Sequence, residues 1–121
     1  MTSKQIGYYG EEYVCSFLIK NGYEIVKRNY QIKGGEIDII AKKGEMLCFV
    51  EVKTRKQNSL ISGEEAVTPS KRKLLIRAAK RFLIEYVEEI NGRFDVAVVE
   101  TDNDLIKKLR YYPNAFDASE I

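Results

Sequence analysis

The sequence predicts one α/β domain, a central mixed β-sheet flanked by α-helices in the order α-β-β-β-α-β-β. Three observations carry that expectation. Two stretches repeat apolar residues at helical spacing behind a threonine cap, at Thr2 and at Thr68. Several shorter stretches rich in Ile, Val and Tyr are separated by Gly, Asn and Asp turn signals. The length, 121 residues with 45% hydrophobic content, suits a single domain with a real core.

The first helix starts at Thr2, with Gln5 three residues on to complete a capping box. Ile6, Tyr9, Tyr13, Val14, Phe17 and Leu18 are expected as its buried stripe. Gly7 and Gly10 lie on or near that stripe, where a helix backbone can approach a sheet closely. Gly22 ends the helix. Residues 23–30 read as the first strand and Lys33-Gly34-Gly35 as the turn after it. A hairpin follows and ends near Arg55. Residues 56–68, with Asn58, Ser59, Ser62 and Gly63, read as a long loop and a candidate substrate flap. Thr68-Pro69 opens the second helix. It is expected to run to about Ile90, with Asn91-Gly92 as its stop and Leu75, Ala79, Phe82, Leu83, Tyr86 and Ile90 buried. Residues 93–100 form the next strand around Val96-Ala97-Val98-Val99. Asp102-Asn103 turns the chain into a last strand over residues 105–112, which Pro113 is expected to stop. Phe116 docks, so the domain is taken as residues 1–116 with 117–121 a frayed tail.

The hairpin carries the chemistry. Gly35-Glu36-Ile37-Asp38 and Val50-Glu51-Val52-Lys53 put three carboxylates and a lysine on otherwise apolar strands. Carboxylates are disfavoured in strands and are rarely buried unpaired. A turn centred on Lys43-Gly44 pairs Glu36 with Glu51 and sets Asp38 opposite Phe49, diagonal to Glu51. Alternation then gives one face of Ile37, Ile39, Ala41, Cys48, Val50 and Val52. The other face carries Glu36, Asp38, Ile40, Leu47, Phe49, Glu51 and Lys53. Like charges brought together across a sheet are destabilising, and a bound cation would offset that cost. Mg²⁺ prefers oxygen ligands, keeps several waters and is usually held by one or two carboxylates plus substrate phosphate. Asp38 and Glu51 are the expected ligands. Lys53, on the face of Glu51, would orient a water or stabilise charge on a phosphate.

Composition removes other chemistries. Histidine is absent, which excludes histidine triads, bases and metal sites. Cys15 and Cys48 lie far apart in apolar patterns, as buried free thiols suited to a reducing compartment. No long apolar run and no signal-peptide pattern is present, so a cytoplasmic protein with no membrane partner is expected. Net charge is only +2, yet Lys71, Arg72, Lys73, Arg77, Lys80 and Arg81 fall within twelve residues that hold no acid. Such a cluster can present a phosphate-binding face. It crowds the start of the second helix, whose dipole also favours phosphate. Lys71 lies one turn before Leu75 and should point toward the sheet. Arg72, Lys73 and Arg77 are solvated or contact a nucleic-acid backbone.

Gly-Glu-Ile-Asp at 35–38 and Phe-Val-Glu-Val-Lys-Thr-Arg at 49–55 resemble the YraN-like family of predicted endonucleases. Gly7, Gly10-Glu11, Arg28-Asn29, Val67-Thr68, Lys71, Arg93-Phe94-Asp95-Val96 and Asn114-Ala115-Phe116 fit the same pattern. The family belongs to the restriction-endonuclease-like superfamily and is distantly similar to Holliday junction resolvases. The resemblance implies that fold and a Mg²⁺-dependent nuclease site, with Mn²⁺ as a substitute. In that reading Asp38, Glu51 and the carbonyl of Val52 hold the metal, Lys53 acts on the water, and Glu11, on the first helix, is an auxiliary catalytic ligand. Glu11 and Glu12 both fall off the apolar stripe, Glu11 nearer its edge. Glu36 is a further candidate, stronger as a rim residue. Arg55, Lys71, Arg72, Lys73 and Arg77 would bind DNA, of branched or repair type. A homodimer would suit a cutter of junctions or duplexes. The alternatives are a non-catalytic nucleic-acid-binding module and a protein-interaction domain of a DNA-processing assembly.

Overall fold

The computed structural model describes residues 1–57, 67–86 and 90–117. Helix α1 (Ser3–Lys20) is followed by strands β1 (Glu24–Ile32), β2 (Gly35–Lys43) and β3 (Met46–Lys56). Helix α2 (Pro69–Glu85) then leads to β4 (Asn91–Asp102) and β5 (Leu105–Phe116). The five strands form one sheet in the order β1-β2-β3-β4-β5. Only β3 and β4 are parallel, and α2 is the crossover between them. The expected mixed α/β architecture and its element order are therefore those of the protein.

Both helix starts follow the sequence signals. Gln5 N–H donates to Thr2 Oγ1 at 3.1 Å and Thr2 N–H to Gln5 Oε1 at 2.9 Å, closing the capping box. Lys71 N–H donates to Thr68 Oγ1 at 3.2 Å.

The two helices cover opposite faces of the sheet. α1 packs Val14, Cys15 and Leu18 on Ile39, Ala41, Cys48, Val50, Ala97 and Val99. α2 packs Leu75, Ile76, Ala78 and Ala79 over Ile37, Ile40, Leu47, Phe49, Phe94, Val96 and Val98. Gly10 sits against the Thr54 side chain, and a Cβ there would collide with its hydroxyl. That close approach fixes which face of α1 is buried. Tyr9 and Tyr13, expected inside, are 53% and 45% exposed. The buried line is instead Gly10, Val14, Cys15 and Leu18.

A second close approach sets α2. A Cβ on Gly35 would lie 2.7 Å from the Leu74 carbonyl oxygen and 3.3 Å from Ala78 Cβ. Helix backbone cannot retreat without moving the whole element. Gly35→Ala is therefore expected to destabilise the fold by about 1–3 kcal/mol, read as a lower midpoint in urea; an unchanged midpoint would show that α2 sits further out.

Other expectations are corrected at the element ends. α2 ends at Glu85, and Tyr86 is already extended. Asn91-Gly92 opens β4 rather than stopping a helix. β5 runs through Pro113 to Phe116, because an edge strand tolerates proline beside a bulge. Asn114, at φ 52°, marks the irregularity. Phe116 stacks on Phe94 with ring centroids 4.8 Å apart. The candidate flap falls mainly on residues 58–66, outside the described residues, as do 118–121 of the expected tail.

Candidate metal centre and nucleic-acid interface

The site lies where β2 leaves β3. The observed register pairs Lys43 with Met46, Ala41 with Cys48 and Ile39 with Val50. The turn is thus Gly44-Glu45, and the register is displaced by two residues from that of a Lys43-Gly44 turn. Continued by one pair, this register sets Asp38, not Glu36, opposite Glu51. The β2–β3 ladder stops at Ile39, while β2 keeps pairing with β1 as far as Gly35 opposite Ile32. The two strands fork at Asp38. β2 also changes facing there: Ile39 lies under α1, but Ile37 lies under α2 with Ile40.

A fork leaves backbone donors without a ladder partner. Asp38 supplies one. Its Oδ2 accepts the Val52 N–H at 2.8 Å. The Asp38 carboxyl also crowds that of Glu51. Glu51 is only 4% exposed, and burial first, then Asp38, pushes its carboxyl up to about 8. Lys71 and Lys53 pull in the other direction. Lys71 Nζ lies 3.6 Å from Glu51 Oε2, so Lys71 points to the sheet. That separation is too long for a hydrogen bond, and Glu51 Oε2 is a buried acceptor with none among the described residues.

Glu11 reaches the fork from the α1 side. It shares the helix face of Val14, Cys15 and Leu18, three, four and seven residues on. Burial and then the Asp38 charge push its carboxyl up to about 7. Glu36 and Glu12 also raise it, and Arg28 opposes them. Arg28, on β1, pairs with Glu12 and lies 3.9 Å from Glu11. Glu36 pairs with Gln31 on the β1 side, away from Glu51.

Three carboxylates thus approach one break in the sheet from two sides. The buried, unsatisfied oxygen of Glu51 and the crowding that keeps protons on Glu11 and Glu51 both suit a hard cation. Among the described residues, however, no three Asp, Glu or Cys side chains converge tightly enough to cage one. The donor set matches a cation held by Asp38 and Glu51 that keeps waters for the rest. Val52 enters the site through its amide, which Asp38 holds.

The basic residues separate into three groups. Lys53 and Arg55 follow Glu51 on the face that carries Val98 and Glu100 opposite them on β4. Arg110 on β5 lies 3.7 Å from the buried Glu100. Arg72 is tied internally: its Nε donates to the Val67 carbonyl at 3.0 Å, and its guanidinium lies 5.1 Å from the Phe116 ring centre. Lys73 is exposed, and Arg77, also exposed, reaches over the Lys33-Gly34 turn.

Asp95 is not solvated at a strand end, as its sequence position suggests. It is fully buried on the opposite face from Glu51 and accepts from Arg93 Nε at 2.8 Å, Arg93 Nη2 at 2.9 Å, Tyr111 Oη at 2.5 Å and Asn114 N at 2.9 Å. Arg93 also donates to Tyr23 Oη at 3.1 Å. This network ties the segment before β1 to β4 and β5 and is structural. Sequence reasoning missed it, and missed Arg28 as the partner of Glu11 and Glu12. The Arg93-x-Asp95 spacing, two residues apart on one strand face, is a signal for the first. The second depends on β1 meeting α1, which no local pattern reports.

The fold and the fork define a mixed α/β protein compatible with the restriction-endonuclease-like architecture, with an acidic break beside basic side chains on its central strands. The chain belongs to the family described as "Uncharacterised protein family UPF0102", which matches residues 10–99. It is 50% identical to a UPF0102 protein of Prosthecochloris aestuarii over 78% of this chain and 75% of that one. It is 43% identical to one of Clostridium perfringens strain 13, covering 94% and 95% of the two chains. A relative in Symbiobacterium thermophilum is 41% identical over 96% and 99%. Among the described residues no helix is long and apolar enough to cross a membrane.

Proposed function

We infer that this protein is a divalent-cation-dependent nuclease that hydrolyses DNA phosphodiester bonds. The observation that carries the reading is the pairing of half-buried Asp38 with buried Glu51 at the β2–β3 fork, with an unsatisfied Glu51 oxygen and Lys53 and Lys71 beside it. Two carboxylates crowded together, one of them buried, are costly in a structural role. They are what a Mg²⁺ or Mn²⁺ site for phosphate chemistry needs. Asp38 and Glu51 would hold the cation, which when bound supplies Lewis acidity to the phosphate and lowers the pKa of a water. Lys53 would position that water. Glu11 would accept a proton or hold an outer water from the α1 side. Lys71 would leave Glu51 for a phosphate oxygen, and Arg55 would hold the backbone of the strand beyond.

A non-catalytic nucleic-acid-binding module is the second reading. It is favoured by the Val52 hydrogen bond and the Lys71 contact, which already engage both carboxylates. Cleavage of labelled linear, single-stranded, flapped and four-way DNAs in Mg²⁺, Mn²⁺ and EDTA separates the two. Cutting in either metal and not in EDTA is the expected result. Salt-sensitive binding without cutting in any condition would replace the nuclease with the binding module.

A further inference from the structure

One aromatic feature next to the fork has no part in the reading above. Tyr8 is 57% exposed on α1, and Tyr9 beside it is 53% exposed. Their rings meet edge to face, with centroids 6.1 Å apart. They border a hollow of about 370 Å³ whose other walls are Thr2, Lys4 and Gln5. Tyr8 precedes Glu11 and Glu12 by three and four residues, so all three share one side of the helix. The Arg28 guanidinium lies 5.9 Å from the centre of the Tyr8 ring while it pairs with Glu12 and faces Glu11. Arg28 Nε and Nη2 are buried donors with no hydrogen-bond partner among the described residues.

We propose that Tyr8, beside Arg28, forms a subsite for one unpaired nucleotide at the edge of the carboxylate fork, its base stacked on the exposed Tyr8 ring and its phosphate drawn by the Arg28 charge. The proposal rests on the nuclease reading for its placement beside the scissile bond, and it makes the preferred substrate a DNA with an unpaired nucleotide there. Three facts favour this occupant over a protein surface. An exposed aromatic face is sequence-tolerant for any base, because every base has a π-face. The Arg28 guanidinium beside the Tyr8 ring supplies positive charge for the nucleotide's phosphate. Lys4 in the hollow adds further positive charge beside the two rings. A base inside continuous duplex cannot reach the ring, since both its faces are already stacked.

The test uses 2-aminopurine as the probe base, with Ca²⁺ in place of Mg²⁺ so that binding is read without cutting. Wild-type protein is expected to bind a flap or single strand carrying unpaired 2-aminopurine about tenfold more tightly than blunt duplex of the same sequence, with the probe's fluorescence quenched. Tyr8→Ala should lose that preference and the quench, while Tyr8→Phe keeps both. Tyr8 is exposed, so the fold survives the change, which circular dichroism checks. A preference retained by Tyr8→Ala would overturn the subsite, as would an equal loss of affinity for all DNAs. So would a Tyr8→Ala effect confined to self-association in sedimentation, which would assign the tyrosines to a second copy of the chain. The nuclease reading fails separately. A protein that discriminates unpaired nucleotides through Tyr8 yet never cuts in Mg²⁺ or Mn²⁺ keeps the subsite and loses the catalysis.

Discussion

Asp38→Ala is expected to lower cation-dependent DNA cleavage by at least about a thousandfold, because it would remove both the proposed ligand and the neighbour of Glu51. The fold should persist. Asp38 is half-buried, and the one backbone donor it satisfies, Val52 N–H, faces the fork where water can replace it. Lys53→Ala should lose activity on a similar scale for a different reason. In the proposed mechanism its ammonium would act on the attacking water, so the variant should keep cation binding, read by calorimetry, while cleavage disappears. Asp38→Ala should lose both. Cleavage by purified Lys53→Ala at the wild-type rate would remove that side chain from the mechanism. Cleavage by Asp38→Ala would do more, since it would move the reaction away from the fork altogether.

Glu51→Gln is expected to make the metal-free protein more stable at pH 8, by on the order of 2 kcal/mol or roughly 5–10 °C in Tm. The direction follows from the folded-state proton affinities. Glu11 and Glu51 titrate near 7 and 8 when folded, against 4.5 as the ordinary value. Between pH 4.5 and about 8 the folded chain therefore holds protons that the unfolded chain has released. Stability falls as pH rises through that window. Below it both states are protonated, so the variant and the wild type should converge near pH 4.5. A bound divalent cation reverses the trend, because its ligands must lose their protons to hold it. Saturating Mg²⁺ should raise the wild-type Tm more at pH 8 than at pH 6, and leave Glu51→Gln largely unmoved. A wild-type Tm that is flat from pH 5 to pH 8 in EDTA would show that the fork is not under electrostatic strain. A variant less stable than wild type at pH 8 would make Glu51 a structural ion-pair residue of Lys71.

The two experiments ask different things of the same carboxylates. Activity tests whether the fork performs chemistry. The pH profile tests whether it is held together against its own charge. Stabilisation by Glu51→Gln together with loss of cleavage is the combination a functional site produces, since such sites trade stability for reactivity.

Much of this arrangement could be read directly from the residues. The caps at Thr2 and Thr68 are local chemistry, and both form as written. The alternation around Ile39-Ile40-Ala41 and Leu47-Cys48-Phe49-Val50 assigns most faces of the central hairpin, because side-chain parity survives a slip of two residues. That same insensitivity hid the register. Lys43-Gly44 and Gly44-Glu45 are both acceptable turns, and only the second sets Asp38 against Glu51. The stripe on α1 was ambiguous because tyrosines recur on more than one side of the helix. Packing of Gly10 on Thr54 decided it.

Element order, the mixed α/β class, and the concentration of carboxylates and lysine on one hairpin follow from residues close together in the chain. The tertiary structure alone decided the fork at Asp38, the approach of Glu11 and Arg28 from α1 and β1, and the burial of Asp95 under Arg93 and Tyr111. Those features depend on where strands stop pairing and which helix face meets the sheet. That is a competition among packing contacts between distant residues, and no local propensity records its outcome.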